Sequence, residues 1–456
     1  MCMVLRLGLT LTFAGFLAGM PVGEEADPLI YRHFTVEEED NTVVGMAPIP
    51  EEEPPLWARD VSADEHDWPG GPDEPYFEGP TPFVIPPPDD SGEPFFSHNH
   101  QPSITYLDNG DLLAIWYTTE REAGTELTVL ASRLRAGSDA WDPAYEFFRA
   151  EDRNMHGSSV FNDGQGTLYH FNGMGAEDAE GWENLALLMR TSTDHGVTWT
   201  PPRAIGPEIR ERKQVIDGTE MTRDGTLLQP CDATHLGEGG TALHISTDGG
   251  DTWRDPGKDK PTPTFADGET GEGTIAGIHA GVVELEDGRL MALGRGDNIA
   301  GRMPVSMSED LGETWTYSAS EFPPIAGGQR LVLTRLREGP ILFVSFTDTR
   351  DGDREGMLFP DAEGDEFRGY GLFAALSHDE GETWPVRKLI TPGEGVYDGG
   401  AWTGEFEAAP TNAEHGGYLA ATQTPDGVIH LISSRLHYRF NKEWLETPAE
   451  PVDNQE

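Results

Sequence analysis

The chain has 456 residues, with 31 Lys plus Arg set against 81 Asp plus Glu, for a formal net charge of −50. Such a surface repels phosphate backbones and anionic lipid, which argues against nucleic acid as a partner. Its two cysteines, Cys2 and Cys231, exclude a disulfide framework, so order must come from packing.

Arg6 precedes an apolar run, Leu7 to Met20, that is too short to span a bilayer and has the form of a signal-peptide core. Residues 1–23 are therefore read as a signal peptide, and the mature chain as secreted or periplasmic with no membrane span. Residues 24–96 are acidic and Pro-rich, as in Glu51-Glu-Glu-Pro-Pro55 and Pro86-Pro-Pro-Asp-Asp90, and read as an extended leader holding at most one strand. From His98 onward the chain becomes short β-type runs broken by Gly and Asp turns. The expected spans are 97–446 for one folded domain and 447–456 for an acidic tail.

Within that domain the pattern Ser-x-Asp-x-Gly-x-Thr-Trp recurs four times with every specified position filled. It runs Ser192–Trp199, Ser246–Trp253, Ser308–Trp315 and Ser377–Trp384. The residue types suit a β-turn between strands. The Asp accepts backbone N–H bonds, Gly takes a positive φ, and Trp packs inward between sheets. These Asp residues are folding devices rather than catalysts. A second repeat, an apolar run on each side of a polar turn ending in Gly, centres on Gly110, Gly166, Gly225, Gly288, Gly339 and Gly427. Six such hairpins, each followed by a second strand pair, predict an all-β fold: a six-bladed β-propeller of four-stranded blades with Asp-box turns.

A propeller binds ligands at one mouth of its central channel, where the inner strands start. Counting nine or ten residues back from the hairpin glycines reaches His100, His156, His279, Arg330 and Tyr418. In the third blade the count reaches Val215 or Ile216, close to Asp217 and Glu220. Counting forward reaches Tyr117, Asp232, Arg295 and Ser434, among others. His100, His156, His279 and Asp232 show no close-spaced ligand pattern, so no metal and no cofactor is expected. Cys231 reads as a packed thiol. The Gly- and Asp-rich inserts at 349–368 and 391–416 are candidates to roof the site.

The four boxes and the hairpin array resemble the sialidase (neuraminidase) superfamily with its BNR repeats, from about His98 to Trp444. That resemblance implies a site with three Arg around a substrate carboxylate, a Tyr–Glu nucleophile pair and an Asp acid/base. Gly294-Arg295 matches the second Arg and Gly417-Tyr418-Leu-Ala the Tyr-bearing strand. His100-Gln101-Pro102 stands where the first Arg belongs, and His279 stands in place of the Glu. Tyr370, with Arg368 two residues earlier, occupies the third Arg position. No Asp lies in the Glu120-Arg121-Glu122 segment, which leaves Glu126, or else Glu120, as the expected acid.

Three activities follow as expectations. The first is an exo-glycosidase on a terminal acidic sugar, with Tyr418, His279 and Glu126 catalytic. Arg295, Arg330, His100, His156, Asp232 and Arg121 would bind the substrate. The second is β-elimination on a uronate glycan, with His279 as base, Tyr418 as acid and Arg295 neutralising the carboxylate. This resembles the His/Tyr sites of propeller polysaccharide lyases. The third is a catalytically silent glycan-binding propeller. In each the partner is a glycan.

Overall fold

The computed structural model describes strands at 31–36 and 43–48 and residues 54–72, 74–233 and 239–451. The expected signal segment lies outside the described residues. The fold is the six-bladed propeller, and its regular secondary structure is nearly all strand. The six hairpin glycines predicted from sequence all adopt positive φ, between 83° and 111°, as a tight turn between antiparallel strands requires.

Blades one and two are regular antiparallel meanders. Blade one comprises His98–Tyr106, Leu112–Thr119, Thr128–Leu134 and Tyr145–Ala150; blade two comprises Ser158–Asn162, Leu168–Gly175, Leu185–Ser192 and Arg203–Arg210. The third has a broken inner strand, Gln214–Val215 and Glu220–Met221, against Leu227–Asp232 and Thr241–Ser246. Ile278–Glu284 and Leu290–Arg295 open blade four, Val332–Arg335 and Ile341–Phe346 blade five, and Ala420–Gln423 and Ile429–Ile432 blade six.

Ring closure uses the segment before residue 97. Phe77–Pro82 pairs antiparallel with Leu436–Phe440 as the outer strand of blade six. Tyr31–Val36 runs parallel to the outer strand of blade one, and Trp57 is buried against Phe147 at 5.1 Å between ring centroids. The Pro-rich stretch thus ties the last blade to the first, which leaves no exposed inner edge.

The four Ser-x-Asp turns carry identical bonding. In Ser308–Trp315, Asp310 Oδ1 accepts the Thr314 N–H at 2.8 Å, Asp310 Oδ2 accepts the Thr314 hydroxyl at 2.6 Å, and Ser308 Oγ accepts the Gly312 N–H at 2.8 Å. Trp199, Trp315 and Trp384 are buried between sheets, whereas Trp253 is half-buried. All four turns lie at the end of the channel opposite the site, so they hold the scaffold and take no part in chemistry.

Candidate active site

At the channel mouth a short parallel ladder joins blades five and six, with Gln329 opposite Gly417 and Arg330 opposite Tyr418. Gly417 has φ +100°, and a Cβ there would sit 3.2 Å from Ser434 Oγ, so glycine is required for the approach. Ser434 Oγ accepts the Tyr418 N–H at 3.2 Å and also meets His100 Nδ1 at 2.9 Å. One hydroxyl therefore fixes both the Tyr418 backbone and the His100 ring.

Two of the inner strands enter the mouth through left-handed bulges. Gln101 has φ +54° and His279 φ +51°, and each coincides with a register shift in its hairpin. Such kinks cost about 1–3 kcal/mol and persist where surrounding bonds impose them. At His279 the imposing bond is its own N–H, donated to Asp232 Oδ1 at 2.6 Å. The kink turns the imidazole toward Tyr418, whose hydroxyl lies 3.2 Å from His279 Nε2. Asp232 Oδ2 is 3.1 Å from the same nitrogen. From the other side Arg295 Nη1 donates to the Tyr418 hydroxyl at 2.9 Å and to the Gln329 carbonyl at 2.6 Å.

Burial, then the nearby Arg295 and Arg330, hold His279 well below the ordinary histidine range, so it rests neutral. Burial also pushes the Asp232 carboxyl up to about 7 and raises the Tyr418 phenol, with Arg295 opposing the latter rise. Tyr418 is 9% exposed and His279 2%, while Asp232 is wholly buried. The hydroxyl facing the cavity thus has a neutral imidazole nitrogen within reach, and the Asp232 carboxyl lies beside that same nitrogen. That arrangement allows a proton to leave the phenol inward.

Above this quartet lies a cavity of ≈ 390 Å³ whose walls include Tyr117, Glu122, His156, Trp182, Arg350 and Trp402. His156 stacks on Trp182 at 5.4 Å, and burial takes its imidazole down to about 4. Glu122 Oε1 accepts the Tyr117 hydroxyl at 2.8 Å and contacts His98 Nε2 at 2.9 Å. Burial alone would raise this carboxyl, but the His98 bond, then His156, His100 and the Tyr117 bond outweigh it and hold it at about 2.

The structure brings together Tyr418, His279, Asp232, Arg295, His100 and His156 among the residues expected from sequence. Three others fall elsewhere. Glu126 is spent on its own loop, where Oε1 accepts the Thr119 hydroxyl and the N–H groups of Glu120 and Arg121. Arg121 is exposed and paired with Glu180 at 2.6 Å. Arg330 lies beneath Tyr418, 1% exposed, and does not line the cavity.

Neither Tyr370 nor Arg368 reaches the cavity. Arg350, from the same 349–368 insert as Arg368, does, with its guanidinium 4.6 Å over the Trp402 ring. Trp402 is 40% exposed and comes from the second insert. Sequence reasoning missed Glu122, Arg350, Trp402 and Trp182 as wall residues. A larger cavity of ≈ 530 Å³ is lined by residues of blades four and five, among them Thr347, whose hydroxyl donates to Asp348 Oδ2 at 2.7 Å, but it holds none of the residues expected at the channel mouth. Among the described residues, no group of three or more His, Cys, Asp or Glu side chains is arranged to hold a metal ion.

The BNR repeat-like domain profile matches residues 110–431. A sialidase from Micromonospora viridifaciens is 25% identical over 395 residues, covering 78% of this chain and 53% of that protein. A sialidase from Bacteroides fragilis is 32% identical over 142 residues, 29% of this chain and 23% of that protein. The chain thus spans about half or less of the length of these curated relatives. Among solved structures, a protein of unknown function from Dyadobacter fermentans superposes with a TM-score of 0.51 at 15% identity, covering 78% of this chain and 97% of that one. A K499G variant of the NanB sialidase from Streptococcus pneumoniae gives 0.52 at 13% identity, covering 79% and 70%. At such identities the superpositions establish the fold alone. With a family profile spanning most of the propeller, the chain belongs to the BNR repeat-like family of the sialidase-like superfamily.

Proposed function

We propose that the chain is a retaining exo-glycosidase that releases a terminal acidic sugar from a glycan, acting outside the cytoplasm. The observation that carries this reading is the Tyr418 hydroxyl set 3.2 Å from His279 Nε2 and 2.9 Å from Arg295 Nη1 at the floor of the cavity. Tyr418 Oη attacks the anomeric carbon while its proton passes to His279 Nε2, and Asp232 offsets the imidazolium charge. The bond to the leaving oxygen breaks as that oxygen takes, through the Glu122 carboxylate, the proton held on His98 Nε2 at 2.9 Å from Glu122 Oε1. Water then adds to the anomeric carbon, the bond to Tyr418 breaks, and the phenol recovers its proton from His279. The proton lost by water returns to the Glu122–His98 pair.

Arg295 and Arg350 are the cations lining the cavity, and they suit a sugar carboxylate. Trp182, Trp402 and Tyr117 offer ring faces to a pyranose. In a chain of net charge −50, these two guanidiniums give an anionic sugar its local attraction.

Elimination at a uronate would need His279 itself to reach a substrate C–H. His279 lines the cavity, but only 2% of it is exposed and its Nε2 is already engaged between the phenol and Asp232, which disfavours that step.

The test is a panel of sialylated and uronate-bearing glycans, with products read by mass for the wild type and Tyr418→Phe. Products heavier than substrate by one water, lost in the variant, support the reading. Unsaturated products of unchanged total mass would replace it with elimination. Binding with no product would leave a lectin.

A further inference from the structure

We propose that Arg330 is not a substrate clamp but a positioning residue, a buried cation that stabilises the charge developing on Tyr418, with Asp217 on the channel axis as its counterweight. The inference deepens the reading of Tyr418 as nucleophile and rests on it.

The placement of Arg330 is unusual for a guanidinium. Its Nε donates to the Leu419 carbonyl at 2.8 Å and its Nη2 to the Pro102 carbonyl, which pins the group between blades five, six and one. Nη1 is buried without a hydrogen-bond partner. No Asp or Glu forms an ion pair with it among the described residues, although an unpaired buried charge is costly. The guanidinium carbon stands 5.3 Å from the Tyr418 ring centroid, and that of Arg295 stands at 5.2 Å. Parallel register places Arg330 directly beside Tyr418, so this approach is built into the backbone.

The anionic groups that act on Arg330 are Asp217, the Tyr418 phenol when ionised, and Asp232. Asp217 comes from the broken inner strand of blade three. Its Oδ1 accepts the Ser103 hydroxyl, and its carboxyl borders a separate cavity of ≈ 350 Å³ at the far mouth of the channel. The axis therefore runs from phenol to guanidinium to carboxyl. Arg330 alone favours phenolate, and an ionised Asp217 behind it draws off part of that field. Because Arg330 touches no part of the cavity, its removal must act on the turnover step rather than on substrate capture.

The test reads the Tyr418 phenol directly, without substrate, so it stays informative whether or not the hydrolysis reading survives. The full chain is labelled with ring-fluorinated tyrosine, which ionises within the folded pH range. The Tyr418 fluorine resonance is assigned by its loss in Tyr418→Phe. Removing a unit charge at this distance raises the Tyr418 midpoint in Arg330→Met by about two pH units. In Arg330→Lys, which keeps the charge, the rise is less than half as large.

Asp217→Asn, which keeps the shape and the Ser103 bond, moves the midpoint the other way. With a turned-over glycoside, kcat falls about 100-fold in Arg330→Met and KM stays within threefold. An unchanged midpoint in Arg330→Met overturns the proposal, as do shifts of one sign in all three variants, which would report loose packing. If Arg330→Met fails to fold, the opposite signs of Arg330→Lys and Asp217→Asn decide it. A rise in KM at constant kcat would return Arg330 to the role of substrate clamp.

Discussion

Asp232→Asn is the perturbation that isolates the base behind Tyr418. Asparagine keeps an oxygen to accept the His279 N–H, now 2.6 Å away, so the left-handed kink at His279 stays imposed. What is lost is the carboxylate 3.1 Å from His279 Nε2. That loss matters only when Tyr418 has handed over its proton. The imidazolium then sits where burial, Arg295 and Arg330 already oppose positive charge. A charge pair closing at that stage, of the strength of a charge-assisted bond, is worth about 1.5–3 kcal/mol, which corresponds to a fall in kcat of about 10- to 100-fold. KM should hold, because Asp232 is wholly buried behind His279 and lines no part of the cavity. Steady-state kinetics on a chromogenic aryl glycoside of the acidic sugar measure both constants. A kcat within threefold of wild type, or a loss confined to KM, would refute the assignment of His279 and Asp232 as the base.

Glu122→Gln should cut hydrolysis of glycosides with sugar leaving groups about 100-fold yet spare nitrophenyl glycosides, which leave without a proton; equal losses on both would remove Glu122 from that role. Folding stability should peak near pH 6.5. Glu414 and Glu220, each taken up to about 8 chiefly by burial, hold protons in the fold that the unfolded chain sheds above about pH 4.5, so their stabilisation is lost as pH rises through 8. His156 and His244, each taken down to about 4 by burial, act in reverse and lose stability as pH falls below about 6.5. Thermal melts across this range should show the maximum, and Glu414→Gln should flatten the alkaline limb; a melting temperature climbing steadily to pH 9 would contradict both. In the Ser308–Trp315 turn, Asp310→Ala should cost about 1–2 kcal/mol and Trp315→Ala about 3–5 kcal/mol by denaturant unfolding, because the first loses exposed hydrogen bonds and the second opens a cavity. The reverse ranking would mean that the turn, rather than the indole, holds the sheets apart.

The propeller was legible because its turns demand particular residues. Only glycine takes the φ values at Gly110 or Gly339 cheaply, and each Asp of the four boxes satisfies two donors of one Thr. The mouth of the channel was legible for a related reason. A hairpin glycine fixes one end of the inner strand, so strand length alone carries the count to His100, His279 or Tyr418. Side-chain direction was not legible. Arg330 and Arg295 looked equivalent as clamps, but parallel pairing sends Arg330 under the Tyr418 ring, while Arg295 reaches the hydroxyl.

The loop at 120–127 holds three carboxylates, Glu120, Glu122 and Glu126, that sequence could not rank. Glu126 folds back on three loop donors, which leaves Glu122 to face the cavity. Arg350 and Trp402 sit on inserts whose hairpins, Met357–Pro360 with Glu366–Gly369 and Gly395–Asp398 with Glu405–Ala408, follow no repeat of the propeller. Their reach over the site depends on contacts distant in sequence, such as Arg350 on Trp402.

The central claim is that Tyr418 forms the covalent bond to the sugar. Treating the protein with an acidic sugar carrying fluorine at the anomeric carbon and on its neighbour, then mapping peptides by mass, tests it most directly. The account predicts one adduct per chain on the peptide containing Tyr418, absent in Tyr418→Phe. Turnover of the natural glycan with no adduct on that peptide would contradict it.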